Sequence, residues 1–408
     1  MALWPAKHID VAAMARSLHA SWATDHAVVA SAPATCPYLG DLSDHAGGMV
    51  LLGLTQQRLA VACSPRSDQQ MQVRVVQLGA EGEQTSEQTY SAQIAEFRDL
   101  HNDQKLTFDQ DNPAQRLAVV LLTLMHRQLI SRETPGMDVT VVSAITPDAG
   151  LGLHEACDVA FALTLTDEPE EHQLGPMRTK LADVCAQASS TFCKHAPGRA
   201  RYIAALRGKG EVVNVVDFAD HSITHINAPD GFGFATRIVT APKVQSSPDL
   251  SAMQRFIDDV TGAFAAPSLR QLPNARERVL AWLRAVHQVH PKSQAPSVDQ
   301  ASRWLRYLEH EIDRTLRAAA SIRSRRSGDI VPAMNDSHQE YLSQLLDNEQ
   351  LSAVAQLCLQ YGAHAARAVE SGVVCLVPID RAEAFSQEIA DAGLELVSVA
   401  PGETAELH

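Results

Sequence analysis

Ala32-Pro33-Ala34-Thr35-Cys36-Pro37-Tyr38-Leu39-Gly40-Asp41-Leu42-Ser43-Asp44-His45-Ala46-Gly47-Gly48 is the stretch on which the fold of this chain turns. Before it, Asp25 to Ala32 is a β-branched run that reads as a strand ending at Pro33. Thr35 to Gly48 then reads as a loop dense in Pro, Gly and Asp, and Met49 to Leu54 as an apolar stretch beyond it. Further on, Gln115 to Ile130 has helical periodicity, broken by Thr134-Pro135-Gly136, and Val139 to Ile145 reads as a strand. The turn Thr146 to Gly150 leads into a helix from about Leu153 to Leu165. Strand, glycine-containing turn and helix start are the parts of a phosphate-binding loop, because the first turn of a helix presents free N–H groups to an anion.

Asn227-Ala228-Pro229-Asp230-Gly231 is a strong turn and the expected boundary between two domains, 1–231 and 232–408. Beyond it, Ser297-x-x-Gln300 opens a helix with Trp304, Leu305, Leu308, Ile312 and Leu316 on one face. Ser337-x-x-Glu340 is expected to open another, running through Leu345, Leu346 and Leu351. The tail reads β-α-β: Val373 to Val377, Arg381 to Ala392, Leu394 to Val399. The expected class is therefore α+β in two lobes, the second a split β-α-β lobe.

Composition bounds the function. The 408 residues are 45% hydrophobic and 20% charged, as in an ordinary globular protein, and the net charge is −14. That sign argues against nucleic acid or an anionic membrane as a partner. The most apolar run, Leu117 to Met125, is about half the length a bilayer demands. Met1 to Asp10 lacks the pattern of a secretion signal. Seven scattered cysteines without a CxxC read as reduced, buried thiols. A cytoplasmic protein is expected.

The opening stretch resembles the galactokinase signature APGRVNLIGEHTDYNGG, and Met334-Asn335-Asp336-Ser337-His338 resembles that family's LMNESH helix start. A third match runs ungapped from Val184 to Asp217, ending where galactokinases read LIDCRS. Galactokinases are GHMP small-molecule kinases. The resemblance, in register from about residue 30 to residue 378, implies two lobes, an N-terminal mixed α/β lobe and a C-terminal ferredoxin-like one. Between them it implies a site for a sugar and for ATP with magnesium.

The departures from the family concern chemistry. The signature's arginine, which steadies the transferring phosphate, falls on Thr35, and threonine has no cationic fork. The serine-rich phosphate loop falls on Pro147 to Ala156. Gly150 and Leu151 are kept there, while Gly152, Leu153 and His154 replace the serines, and Asp148 and Glu155 add negative charge. The catalytic aspartate falls on Arg201, which cannot accept a proton. The third, glycine-rich motif falls on Ala365 to Gly372, where side chains at Arg367, Ala368 and Val369 crowd the backbone approach that glycines permit. Loss of a transition-state arginine alone slows related phosphoryl transfers by about 10³–10⁵.

The sugar side is better kept. The resemblance places Asp41 and Asp44 at the acid pair that contacts sugar hydroxyls, and Gly198 at the glycine of the aspartate motif. The same two carboxylates suit plain Asx-turns around Gly40 and Gly47. Leu42 replaces the family's histidine, and its tyrosine is lost around Ser246-Ser247-Pro248. Lys194, His195, Arg199 and Arg201 form a basic cluster, read either as an anion site or as a salt bridge from the arginines to Asp148 or Glu155. His287 with His290, and His221 with His225, read as solvated faces rather than metal ligands, and Arg323, Arg325 and Arg326 as charges suited to a helix C-terminus.

Two functions follow. One is a non-catalytic galactokinase-like protein binding a sugar or nucleotide as a sensor or scaffold, with no required cofactor and its protein partner open. The other is a divergent sugar kinase using ATP and magnesium, with Asp44 or Asp217 as its only candidate bases.

Overall fold

The computed structural model describes residues 9–23, 26–98, 108–109, 111–166, 175–192, 198–240, 250–290, 294–345, 348–370 and 372–408. The decisive stretch folds differently from its local reading. Strand β1 (Val28–Leu39) does not end at Pro33 but continues to the glycine loop. Its pairing with β2 (Met49–Pro65) is irregular between Pro33 and Thr35 and again between Pro37 and Leu39. Each proline borders one of these irregularities, and the strand passes through both. The loop proper is only 40–48.

Helix α1 (Val11–Ala20) precedes β1, and β3 (Gln70–Leu78) and β4 (Gln84–Gln93) follow β2. Helix α2 (Pro113–His126) is capped by Asn112 and starts with a proline that needs no donor partner. Then come β5 (Met137–Ser143), α3 (Leu153–Thr164), α4 (Gly175–Phe192), α5 (Arg199–Arg207), β6 (Val212–Asp217) and β7 (Ser222–Asn227). These strands form one sheet in the order β1-β2-β5-β3-β4. Strand β2 is long enough to pair β5 through Leu59–Pro65 and β6 through Met49–Gly53. Helices α2 to α5 pack on one face, and Val11, Ala12 and Ala15 of α1 on the other, against Val29, Ala60 and Val142. A buried ion pair, Arg116–Asp158 at 2.6 Å, ties α2 to α3, and Tyr202 of α5 donates to the same carboxylate at 2.9 Å.

Strand β8 (Phe234–Thr240) opens the second sheet. Helices α6 (Leu250–Ala263), α7 (Ala275–Val289), α8 (Val298–Arg323), α9 (Ile330–Gln344) and α10 (Glu349–Gln360) lead to β9 (Ala365–Val369) and β10 (Gly372–Pro378). Helix α11 (Ala382–Asp391) and β11 (Glu395–Val399) complete it. The sheet order is β11-β8-β10-β9, so β8 lies between the two strands that α11 connects: a split β-α-β unit. Ser297 caps α8 as read, accepting from Gln300 N at 3.2 Å. The expected start at Ser337 is corrected. Helix α9 begins at Ile330, Ser337 is buried inside it, and Leu351 belongs to α10, capped by Asn348. Among the described residues no helix is long and apolar enough to cross a membrane.

The chain then returns. Strand β12 (Glu406–Leu407) pairs with Ala30 and Ser31 on the outer edge of β1.

Candidate functional site

Four segments converge between the sheets: the loop 40–48, the phosphate-type loop 147–152, the start of α5 and the β9–β10 turn. Arg201, only 5% exposed, joins three of them. Its Nη1 donates to the Thr35 carbonyl at 2.8 Å and to Thr35 Oγ1 at 2.9 Å. Its Nη2 donates to the Gly150 carbonyl at 2.8 Å and to Glu370 Oε1 at 3.0 Å. Burial works against its charge, and Glu370, Glu155 and Asp41 more than offset that, raising its pKa. The ion pair is thus with Glu370, which corrects the expected partner. Glu155 lies close without pairing, since a Cβ on Gly152 would stand 3.0 Å from Arg201 Nη1 and 3.2 Å from Glu155 Oε2.

The phosphate-type loop is folded down onto the hairpin. Thr35 N donates to the Leu151 carbonyl at 2.9 Å. A Cβ on Gly150 (φ +67°) would stand 2.6 Å from the Val369 carbonyl, and one on Gly372 3.0 Å from that of Ala149. Gly152, also left-handed, precedes α3 without a side-chain cap. Leu153 is half-buried, His154 is exposed and Glu155 is buried in the first turn. Polyphosphate with magnesium does not fit these residues. The loop carbonyl of Gly150 faces the guanidinium, no hydroxyl stands at 152–154, and Glu155 and Glu370 would face the phosphates.

Arg367 neutralises the acid of the other loop. It is 1% exposed and ion-paired to Asp41 Oδ1, and its Nε donates to Ser337 Oγ at 2.8 Å. Glu311, fully buried on α8, lies 3.5 Å from Arg367 Nη2 and accepts from Gly40 N and Ser337 Oγ, both at 2.9 Å. Burial opposes the charge of Arg367, but Asp41 and Glu311 outweigh it and raise its pKa. Asp44, 3% exposed, accepts from Arg199 N at 2.7 Å and His45 N at 2.9 Å. Gly198 lies beside Asp41, its Cβ position 3.8 Å from the Asp41 carbonyl oxygen. Among the described residues, four buried polar atoms around the 40–48 loop have no partner: His45 Nε2, Ser268 Oγ, Tyr307 Oη and Arg367 Nη1.

The structure therefore gathers Thr35, Asp41, Asp44, Gly150, Leu151, Gly152, Gly198 and Arg201 into one region. Arg199 leaves the basic cluster, its guanidinium 5.1 Å over the Phe218 ring. Lys194, His195 and the 246–248 segment lie outside the described residues. Asp217 pairs with Arg270 at 2.6 Å, His287 meets the Pro296 carbonyl, and Arg323 bonds Thr224. Among the described residues no group of three metal-type ligands occurs. The sequence reading missed Glu311, Ser337 as a site residue, and Glu370. Glu311 was detectable as an acid between Leu308 and Ile312 on the apolar face of α8.

The architecture matches known proteins over nearly its whole length. The structure of Lactococcus lactis galactokinase complexed with galactose aligns with a TM-score of 0.69 over 96% of this chain and 98% of that one, at 13% identity. The fold is that of the GHMP small-molecule kinases. L. major mevalonate kinase in complex with R-mevalonate matches this GHMP fold at a TM-score of 0.54, with 13% identity over 93% and 98% of the chains. A D-glycero-D-manno-heptose 1-phosphate kinase from Bacteriodes thetaiotaomicron gives 0.53 at 10% identity over 93% and 98%. No family model and no curated protein matches the sequence. The GHMP frame is thus shared at low sequence identity.

Proposed function

We propose that this chain is a catalytically silent GHMP-fold protein, a sensor or scaffold that does not transfer phosphate. The observation that carries the reading is Arg201, whose bonds to Thr35, Gly150 and Glu370 hold the phosphate-type loop shut from within. The resemblance places a catalytic aspartate at that position, and an arginine there is a charge of the wrong sign. A divergent sugar kinase would need a free base, yet Asp44 holds Arg199 N and Asp217 holds Arg270.

The ligand class we propose is a sugar at the 40–48 loop. Asp41 and Asp44 are acceptors, and the unpartnered polar atoms of His45, Ser268, Tyr307 and Arg367 surround the same loop, where hydroxyls or water would satisfy them. The six described cysteines are free, which fits the cytoplasmic setting we expect.

The test is a panel of galactose and related sugars, each with ATP and magnesium. Product is detected by mass, and the same sugars are screened for thermal stabilisation. The reading requires stabilisation by at least one sugar and no sugar phosphate. Product at an ordinary turnover rate would refute it.

A further inference from the structure

Gly40 opens the loop that carries Asp41 and Asp44, at a left-handed φ of +81°. Its carbonyl accepts from Ser43 N at 2.9 Å and from Ser43 Oγ at 2.8 Å, which folds residues 40–43 into a turn. Its N–H leaves the loop altogether and donates to Glu311 on α8, 271 residues away in sequence, at 2.9 Å. Thr315, one turn further along α8, stands against the same glycine, its Oγ1 3.1 Å from where a Cβ on Gly40 would lie. The loop is therefore seated on a helix of the second half of the chain.

Glu311 is fully buried, and its two oxygens have separate tasks. Oε1 accepts from Gly40 N and from Ser337 Oγ, and lies 3.5 Å from Arg367 Nη2. Oε2 is ion-paired to Arg314, which Glu340 holds from its other side at 2.6 Å. Arg367 in turn donates to Ser337 Oγ and pairs with Asp41. One oxygen thus gathers the main chain that precedes Asp41 and the guanidinium that grips its side chain. A buried ion pair is weak grounds for stability, since apolar groups of similar volume often serve as well. What the carboxylate supplies here is direction, because its hydrogen bonds fix where each donor stands. We infer that Glu311 is a positioning residue for the 40–48 loop: it sets the placement of Asp41 without itself touching a ligand. The inference rests on the sugar reading above for what the loop binds, and not for how the loop is held.

The test is amide hydrogen exchange of peptides covering 40–48 in the full chain without ligand, together with calorimetric titration of galactose and the related sugars. Glu311→Leu keeps the bulk, removes the acceptor, and leaves Arg314 with Glu340 and Arg367 with Asp41. Exchange in the loop rises about tenfold or more while peptides from α2 and β5 keep the wild-type rate, and sugar affinity falls about tenfold. Glu311→Gln, whose side-chain carbonyl can still accept from Gly40 N, restores most of the protection and the affinity, which a role in packing or charge balance alone would not do. Ser337→Ala, which removes one of the two 2.9 Å bonds that locate Oε1, shifts loop exchange in the same direction and decides the matter if the leucine variant fails to fold. The inference is overturned if loop exchange is unchanged in folded Glu311→Leu or, failing that, in Ser337→Ala. It is overturned as well if Gln behaves like Leu, or if the loop loosens with no change in sugar affinity. A wild type that binds no sugar refutes the proposed function, while the exchange comparison, which needs no ligand, still decides whether Glu311 holds the loop.

Discussion

Arg201 and Thr35 exchange roles with the residues the kinase resemblance implies at their positions: the cation stands on α5 and the neutral partner on β1. Because Arg201 makes four hydrogen bonds from a buried position, Arg201→Leu leaves the Thr35 and Gly150 carbonyls without donors. Urea denaturation should show a loss of about 2–4 kcal/mol, the range for buried partners left unpaired. A loss under about 0.5 kcal/mol, the size of a typical surface substitution, would mean that the network is not a latch. His338 gives a pH signature at the same scale. Burial and then Arg367 lower its pKa to about 4, against an ordinary value of 6.5. The unfolded chain thus binds the proton first as pH falls. Stability is full above about pH 6.5, falls as the pH drops towards 4 and levels below that, by up to about 3 kcal/mol. His19, buried between Ser64 and Thr140, shifts in the same direction. His338→Gln should flatten part of that slope in pH-dependent melts, and an unchanged slope would place the titration elsewhere. Thr35, Asp41 and Arg201 were legible because motif register fixes single positions. Glu370 was not, since its partner is 169 residues away in sequence and no local pattern joins them.

At the scale of elements, the phosphate-type loop and the β9–β10 turn form a backbone-to-backbone contact that only glycine permits. Gly150→Ala puts a methyl 2.6 Å from the Val369 carbonyl at a left-handed φ, so both sterics and backbone oppose it. We expect about 1–3 kcal/mol of destabilisation by denaturant titration, and a neutral result would indicate that the loop stands off the hairpin. Helices and strands were readable where period or a cap marked them, as with the strand at Val139 to Ile145 and the helix capped by Ser297. Two readings failed for physical reasons. Proline ends most strands, but β1 carries Pro33 and Pro37 beside register shifts, where irregular pairing tolerates proline. Ser337-x-x-Glu340 has the form of a helix start, yet Ser337 spends its hydroxyl on Glu311 and Arg367 within α9.

For the whole molecule, the final strand fastens the end of the chain to the first sheet. Beyond its pairing with Ala30 and Ser31, Arg58 donates to the Glu403 and Thr404 carbonyls and Ala405 N to the Ala205 carbonyl. Deleting residues 401–408 exposes the edge of β1 and should lower the melting temperature by several degrees; an unchanged value would show that the tail adds nothing. A two-residue strand has no periodicity to read, which is why this closure was invisible in sequence, whereas the two-lobe α+β plan was legible from the motifs and the tail pattern. Closure of the phosphate-type loop by Arg201 carries the proposed function. Titration of the protein with ATP and magnesium tests it most directly. With Arg201 holding Thr35, Gly150 and Glu370, no heat of binding is expected up to millimolar nucleotide, and saturable binding at micromolar concentration would contradict the account.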